Sequence, residues 1–248
     1  MTHEPYIRET DNKKCAVLMI HGILSTPRHF DFLLSAIPQD ISVYNILLDG
    51  HGKAVEDFSN TSMSIWKKQV DDILIGLCNR YEKVVLVGFS MGTLLAIEAQ
   101  QNHKGISSLL LLNSPLKIFV HPKMNVWSLR ICFGIEDKNN IHMMKCKDDT
   151  SIKLTRKMWK YIRWIPNGLS LVKLSSECRK LAKGINIPCK AYFGKKDELV
   201  SVKSAKYLRD NKNCEVTVFD TAGHFFIEEN DKDKIRNSLS ELIADAQK

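Results

Sequence analysis

No stretch of about 18 consecutive apolar residues occurs in the 248-residue chain, so the sequence offers no candidate membrane-spanning helix. The first residues, Met1 to Lys14, are polar and lack the apolar centre of a signal peptide, and a protein that stays in the cytoplasm is expected. The seven cysteines are an odd number, widely dispersed, and none stands in a Cys-x-x-Cys pair. Neither a disulfide framework nor a zinc site is expected, and the thiols read as reduced. A formal net charge of +8 raises the question of nucleic acid, but no arginine-rich arm or recognition module accompanies it, and no nucleic-acid partner is expected. Internal repeats and low-complexity segments are also missing. What remains is long enough for one large α/β domain carrying an insertion.

The chain is organised around Lys83 to Leu95, where an apolar run, Val84 to Val87, leads into Gly88-Phe89-Ser90-Met91-Gly92 and then into a helical pattern. A run apolar on both faces suits a central parallel strand. Glycines on both sides of a serine suit a tight strand-to-helix turn, because a Cβ there would collide with neighbouring backbone. Ser90 is therefore the candidate nucleophile.

Other short apolar runs predict further strands at Ala16 to Ile20, Ser42 to Leu48, Ile106 to Leu112, Cys189 to Phe193 and Glu215 to Phe219. Helical spacing predicts helices over Ser64 to Tyr81, Thr93 to His103, Ser201 to Asp210 and Asp231 to Ala246. Strand, helix and strand units recurring in this way imply a parallel, doubly wound sheet. Leu116 to Gly184 differs: it holds Trp127, Trp159 and Trp164, is rich in methionine, and follows helical spacing. It reads as a helical cap inserted at residues 116–184 into a core formed by 1–115 and 185–248.

A serine hydroxyl needs a base within hydrogen-bond reach and a third group to fix the base's tautomer. His224, in Ala222-Gly223-His224, and Asp197, in Gly194-Lys195-Lys196-Asp197, both follow predicted strands at their carboxyl ends, the edge where Ser90 must lie. Among competing acids, Asp220 is too near His224 in sequence to reach around to the ring, and Glu198 and Glu228 lie near the same edge. The backbone N–H groups of Ile23, after His21-Gly22, and of Met91 are the candidate oxyanion donors. His21 and His51 read as residues that order loops.

Together Leu18-Met19-Ile20-His21-Gly22, Val85 to Gly92, Gly194 to Asp197 with Val200, and Ala222-Gly223-His224 resemble the α/β-hydrolase superfamily, in which the order Ser, Asp, His is the usual one. The Asp49-Gly50-His51-Gly52 loop and the helical insertion are similar to the bacterial carboxylesterase and monoacylglycerol lipase group, although that group often has proline where Asp49 stands. The resemblance implies an α/β-hydrolase fold, hydrolysis of a small-molecule carboxylic ester through an acyl-serine, and no metal or organic cofactor. Thioesterase, peptidase, carbon–carbon bond hydrolase and acyltransferase reactions run on the same three residues, and a catalytically silent binding protein could share the fold. Fifteen Lys and Arg against five Asp and Glu give the insertion a net charge of +10, suited to anionic substrates or a weak contact with an anionic lipid surface.

Overall fold

The strands are β1 (Tyr6–Arg8), β2 (Cys15–Ile20), β3 (Ser42–Ile46), β4 (Lys83–Phe89), β5 (Ile106–Leu112), β6 (Cys189–Gly194) and β7 (Cys214–Phe219), in a computed structural model that describes residues 3–248. They form one sheet in the order β1-β3-β2-β4-β5-β6-β7, with every neighbouring pair parallel except β1 and β3. The sheet is mostly parallel with helices on both faces, the doubly wound arrangement that the sequence leads one to expect.

Alternation along β2 shows why the sheet sits at the centre. Ala16, Leu18 and Ile20 pack into one buried cluster, while Cys15, Val17 and Met19 pack into the other. Helices cover both faces: α1 (Asp31–Leu34), α2 (Val55–Ser59), α3 (Met63–Arg80), α4 (Met91–Ala99), α5 (Pro122–Phe133), α6 (Ile141–Asp149), α7 (Ile165–Leu181), α8 (Lys206–Arg209) and α9 (Glu229–Ala246). Buried residues of α3, α4 and α7 join the first cluster, and those of α9 join the second. Among the described residues, no helix is long and apolar enough to cross a membrane.

The strand between residues 42 and 48 stops two residues early. Gln69 takes the Leu47 carbonyl and the Asp49 amide, both at 2.9 Å, and the Leu48 amide donates to His21 Nε2 at 3.0 Å, so side chains replace the ladder. The predicted helix over 201–210 is broken into a 3₁₀ turn, Val202–Ala205, and one α-helical turn, α8. The Ser204 hydroxyl there is occupied by the Lys117 amide at 2.7 Å. β1 was not predicted: it is three residues long, largely exposed, and pairs on one edge only, so it has no apolar alternation to betray it.

Residues 116–184 contain α5, α6, a 3₁₀ segment at Met158–Trp164, and α7, with no strand among them. Helix α5 starts at Pro122, with His121 accepting from the Lys123 amide, and ends at Gly134 with φ 72°. Helix α6 is capped by the Asn140 side chain, which accepts from the Met143 amide at 3.0 Å. Met124, Trp127, Met143 and Cys146 form a small separate cluster between these two helices, and it reaches Leu199 and Phe225. At about 1.5–3 kcal/mol for each large apolar side chain buried, three such residues and a cysteine hold two short helices in place but are minor beside the two main clusters.

Candidate active site

Register decides where the site lies. Ile20 sits beside Gly88, Phe89 beside Leu112, and Gly194 beside Phe219, so the loops leaving β2, β4, β6 and β7 emerge along one edge of the sheet. Ser90 joins β4 to α4 with φ 49° and ψ −120°, a conformation that costs a non-glycine residue roughly 1–3 kcal/mol. Its surroundings hold it there. The Ser90 amide donates to the Leu112 carbonyl at 2.9 Å, and the Thr93 amide and hydroxyl donate to the Ser90 carbonyl at 3.0 and 2.6 Å. A Cβ on Gly92 would stand 1.9 Å from the Ile20 carbonyl oxygen, and one on Gly88 would stand 2.7 Å from the Thr93 amide nitrogen. Only glycine lets this turn close against β2.

His224 leaves the loop after β7 and brings its Nε2 to 3.2 Å from Ser90 Oγ. Its Nδ1 lies 2.7 Å from Asp197 Oδ2, with the two side chains 2% and 1% exposed. The other oxygen of Asp197 accepts the Leu199 and Val200 amides at 2.8 and 2.7 Å, so the carboxylate is fixed by its own loop before it meets the ring. Ser90, Asp197 and His224 are thus brought together from three loops. Asp220 is not part of the group: it pairs with Lys195 at 3.1 Å and is 83% exposed.

Met91 follows Ser90 at the first turn of α4, and Ile23 follows Gly22, on which a Cβ would stand 2.9 Å from Ser90 Cβ; among the described residues neither amide has a hydrogen bond to a protein acceptor. Two histidines shape the β2 loop. His21 donates from Nδ1 to the Gly22 carbonyl at 2.8 Å and accepts the Leu48 amide on Nε2. His51 donates to the Asp49 carbonyl at 3.1 Å and accepts the Leu24 amide at 3.1 Å. Both therefore serve as neutral rings that order backbone. Burial presses His51 down to about 4, and burial, helped by the neighbouring His51, presses His21 well below its ordinary value.

A stability prediction follows from His51. The unfolded chain takes up this proton near pH 6.5 and the folded chain only near 4, so stability is intact above pH 6.5 and declines as pH falls from 6.5 to about 4, by at most ~3 kcal/mol. Urea unfolding at pH 7 and at pH 4.5 should show a shallower acid loss in His51→Gln than in the natural chain. Equal losses would remove His51 from the account.

Two residues hold places in the site that their sequence positions do not show, one of them the competing acid Glu198. Glu198, 2% exposed, accepts the His224 amide at 2.9 Å and faces His142 and Lys123 of the 116–184 segment at 3.4 and 3.5 Å. Following an acid in a loop, it carries no sign of burial in sequence. Asn113, with φ 51°, accepts the Gly194 amide at 3.0 Å and donates to the Gly223 and His224 carbonyls at 3.3 and 3.2 Å, tying together the ends of β5, β6 and β7. Its only sequence signal is the break of pattern after Leu112. The three tryptophans of the segment do not form a common lining: Trp127 is in the small cluster, Trp164 packs on Phe58 and donates to the Val55 carbonyl, and Trp159 is 65% exposed. Helical spacing alone does not give the faces on which they fall. Among the described residues, no group of three or more His, Cys, Asp or Glu side chains converges as a metal-binding set would.

The sequence profile of the Alpha/beta hydrolase family matches residues 17–236. A thermostable monoacylglycerol lipase from Bacillus sp. (strain H-257) is 28% identical over 116 residues, which are 46% of this chain and 46% of that enzyme, so the match spans less than half of the relative. A monoglyceride lipase homolog from Monkeypox virus is 23% identical over 242 residues, covering 89% of this chain and 85% of that protein. The crystal structure of Paleococcus ferrophilus monoacylglycerol lipase superimposes with a TM-score of 0.69 at 18% identity, covering 99% of this chain and 100% of that one. At such identity the likeness speaks for the fold alone.

Proposed function

The chain belongs to the alpha/beta hydrolase family, and on that premise we propose that it is a serine hydrolase of carboxylic esters, of the carboxylesterase or monoacylglycerol lipase kind. The observation that carries this reading is the unbroken line from Asp197 Oδ2 through the His224 ring to Ser90 Oγ, with gaps of 2.7 and 3.2 Å. In this reading His224 Nε2 takes the hydroxyl proton as Ser90 Oγ attacks the ester carbonyl, and Asp197 holds Nδ1–H and stabilises the imidazolium. The Ile23 and Met91 amides receive the oxyanion, and the leaving alcohol takes its proton from His224. Water, deprotonated by the same ring, then releases the acid from the acyl-serine.

Residues 1–115 and 185–248 would form the catalytic unit, acting in the cytoplasm, and 116–184 the cap that selects the acyl group. The charge of that segment and its exposed side chains support such a role. Most of the exposed large apolar residues of the described chain lie in it, among them Val126, Leu129 and Phe133 on α5 and Ile165, Leu169 and Val172 on α7. Apolar side chains set among an excess of lysine and arginine suit an anionic ester or the surface of an anionic lipid aggregate.

The test is a hydrolysis screen of esters that share one leaving group and differ in acyl length. A preference set by the cap should change when residues of 116–184 are replaced, and no hydrolysis of any ester would end the proposal. Charge is tested separately. The Debye length falls from about 10 Å at 0.1 M salt to about 3 Å at 1 M, so KM for an anionic ester should rise roughly threefold or more over that range. KM for a neutral ester of matched size should stay level. Equal responses would leave the basic surface without a part in substrate capture.

A further inference from the structure

The loop that carries Ile23 is strained. Residues 22–25 make a turn closed by the Ser25 amide on the Gly22 carbonyl at 3.2 Å, with Leu24 at φ 61°, the conformation that such turns normally give to glycine. A leucine there is strained and persists only if its surroundings impose it. Part of that imposition comes from His51, which accepts the Leu24 amide. The rest comes from the 116–184 segment, at the point where the chain leaves α6.

Ser151 donates to the Leu24 carbonyl from its amide at 2.8 Å and from its hydroxyl at 3.2 Å. Asp149, the last residue of α6 and 8% exposed, accepts the Ser25 hydroxyl on one carboxylate oxygen at 2.5 Å and His29 Nδ1–H on the other at 2.9 Å. The His29 ring is stacked on Phe89, the residue before Ser90, with centroids 3.5 Å apart. Asp149 therefore joins the segment to both sides of the nucleophile: through Ser25 to the loop of Ile23, and through His29 to the end of β4. Neither Asp149 nor Ser25 is placed to touch a substrate carbonyl by anything in this geometry.

We propose that Asp149 is a positioning residue that holds the Ile23 amide in its oxyanion-binding orientation, so that the oxyanion hole is complete only while the segment is seated on the core. This rests on the hydrolase reading above. Substrate capture under the segment and assembly of the oxyanion hole would then be one event, in the way that closure completes a catalytic site.

Asp149→Asn keeps the volume but gives one oxygen's place to an NH₂ group, which cannot accept from Ser25 or His29. Loss of an oxyanion donor costs about 10²–10³ in kcat, and a displaced donor should cost less, so kcat on a neutral ester is expected to fall roughly 10- to 100-fold with KM within about twofold. Asp148→Asn, the exposed neighbour, should stay within about twofold of the natural chain. Ser25→Ala should lower kcat in the same way, and the double variant should lose less than the product of the two. Should Asp149→Asn fail to fold, Ser25→Ala decides alone. Rates are to be counted per active site, by titration to completion with a fluorophosphonate. A kcat per labelled site equal to that of the natural chain in the folded variants overturns the proposal. A natural chain that takes no label removes the hydrolase reading itself and the proposal with it.

Discussion

Ser90→Ala is expected to lower turnover of a model ester by roughly 10⁴- to 10⁶-fold, because the three residues act as a unit and only the binding and oxyanion terms survive the loss of one. The fold should be nearly untouched. Among the described residues the Ser90 hydroxyl meets only His224, while the elbow itself is held by backbone: the Ser90 amide on Leu112 and the Ser90 carbonyl under Thr93. Thermal unfolding within a degree or two of the natural chain, together with a residual turnover still roughly 10³- to 10⁴-fold above the uncatalysed rate, is the expected pair of results. A pure variant that still turned over the ester would show that the nucleophile is elsewhere.

Asp197→Asn is expected to cost about 10⁴-fold in kcat, and the hydrogen bonds around Asp197 say why. Its Oδ1 is claimed by two backbone amides, Leu199 and Val200, which only an oxygen can satisfy. An asparagine must keep its oxygen there and turn its NH₂ toward His224 Nδ1. That nitrogen must then accept, its proton moves to Nε2, and the ring faces Ser90 as a donor when it should be a base. Stability should fall far less than activity, since the shape and the loop bonds are preserved. Asp220→Asn, which disturbs only an exposed ion pair with Lys195, should stay within about twofold. A mild Asp197→Asn beside a damaging Asp220→Asn would show that the acid was misassigned.

Much of this was legible in residues. The apolar runs of β2, β4 and β5 are buried on both faces, so composition alone marks them, and the glycines beside Ser90 are demanded by contacts as close as 1.9 Å. Asp197 and His224 could be chosen because loops at the carboxyl ends of parallel strands must meet at one edge. What stayed hidden depends on contacts between segments far apart in the chain. Glu198 looks like a surface acid until the 116–184 segment covers it, Asn113 looks like a turn residue until three strand ends converge on it, and β1 has no apolar face to read. Asp149 is likewise an ordinary helix-terminal acid in sequence, and only the fold sets it against Ser25 and His29 across more than a hundred residues.

The most direct measurement is the site of covalent labelling. The natural chain treated with a fluorophosphonate, digested and analysed by mass spectrometry should carry one phosphonyl adduct, on the peptide containing Gly88-Phe89-Ser90-Met91-Gly92, and Ser90→Ala should carry none. An adduct on another residue, or a natural chain that stays unlabelled while fully folded, would contradict the assignment of Ser90 as an activated nucleophile.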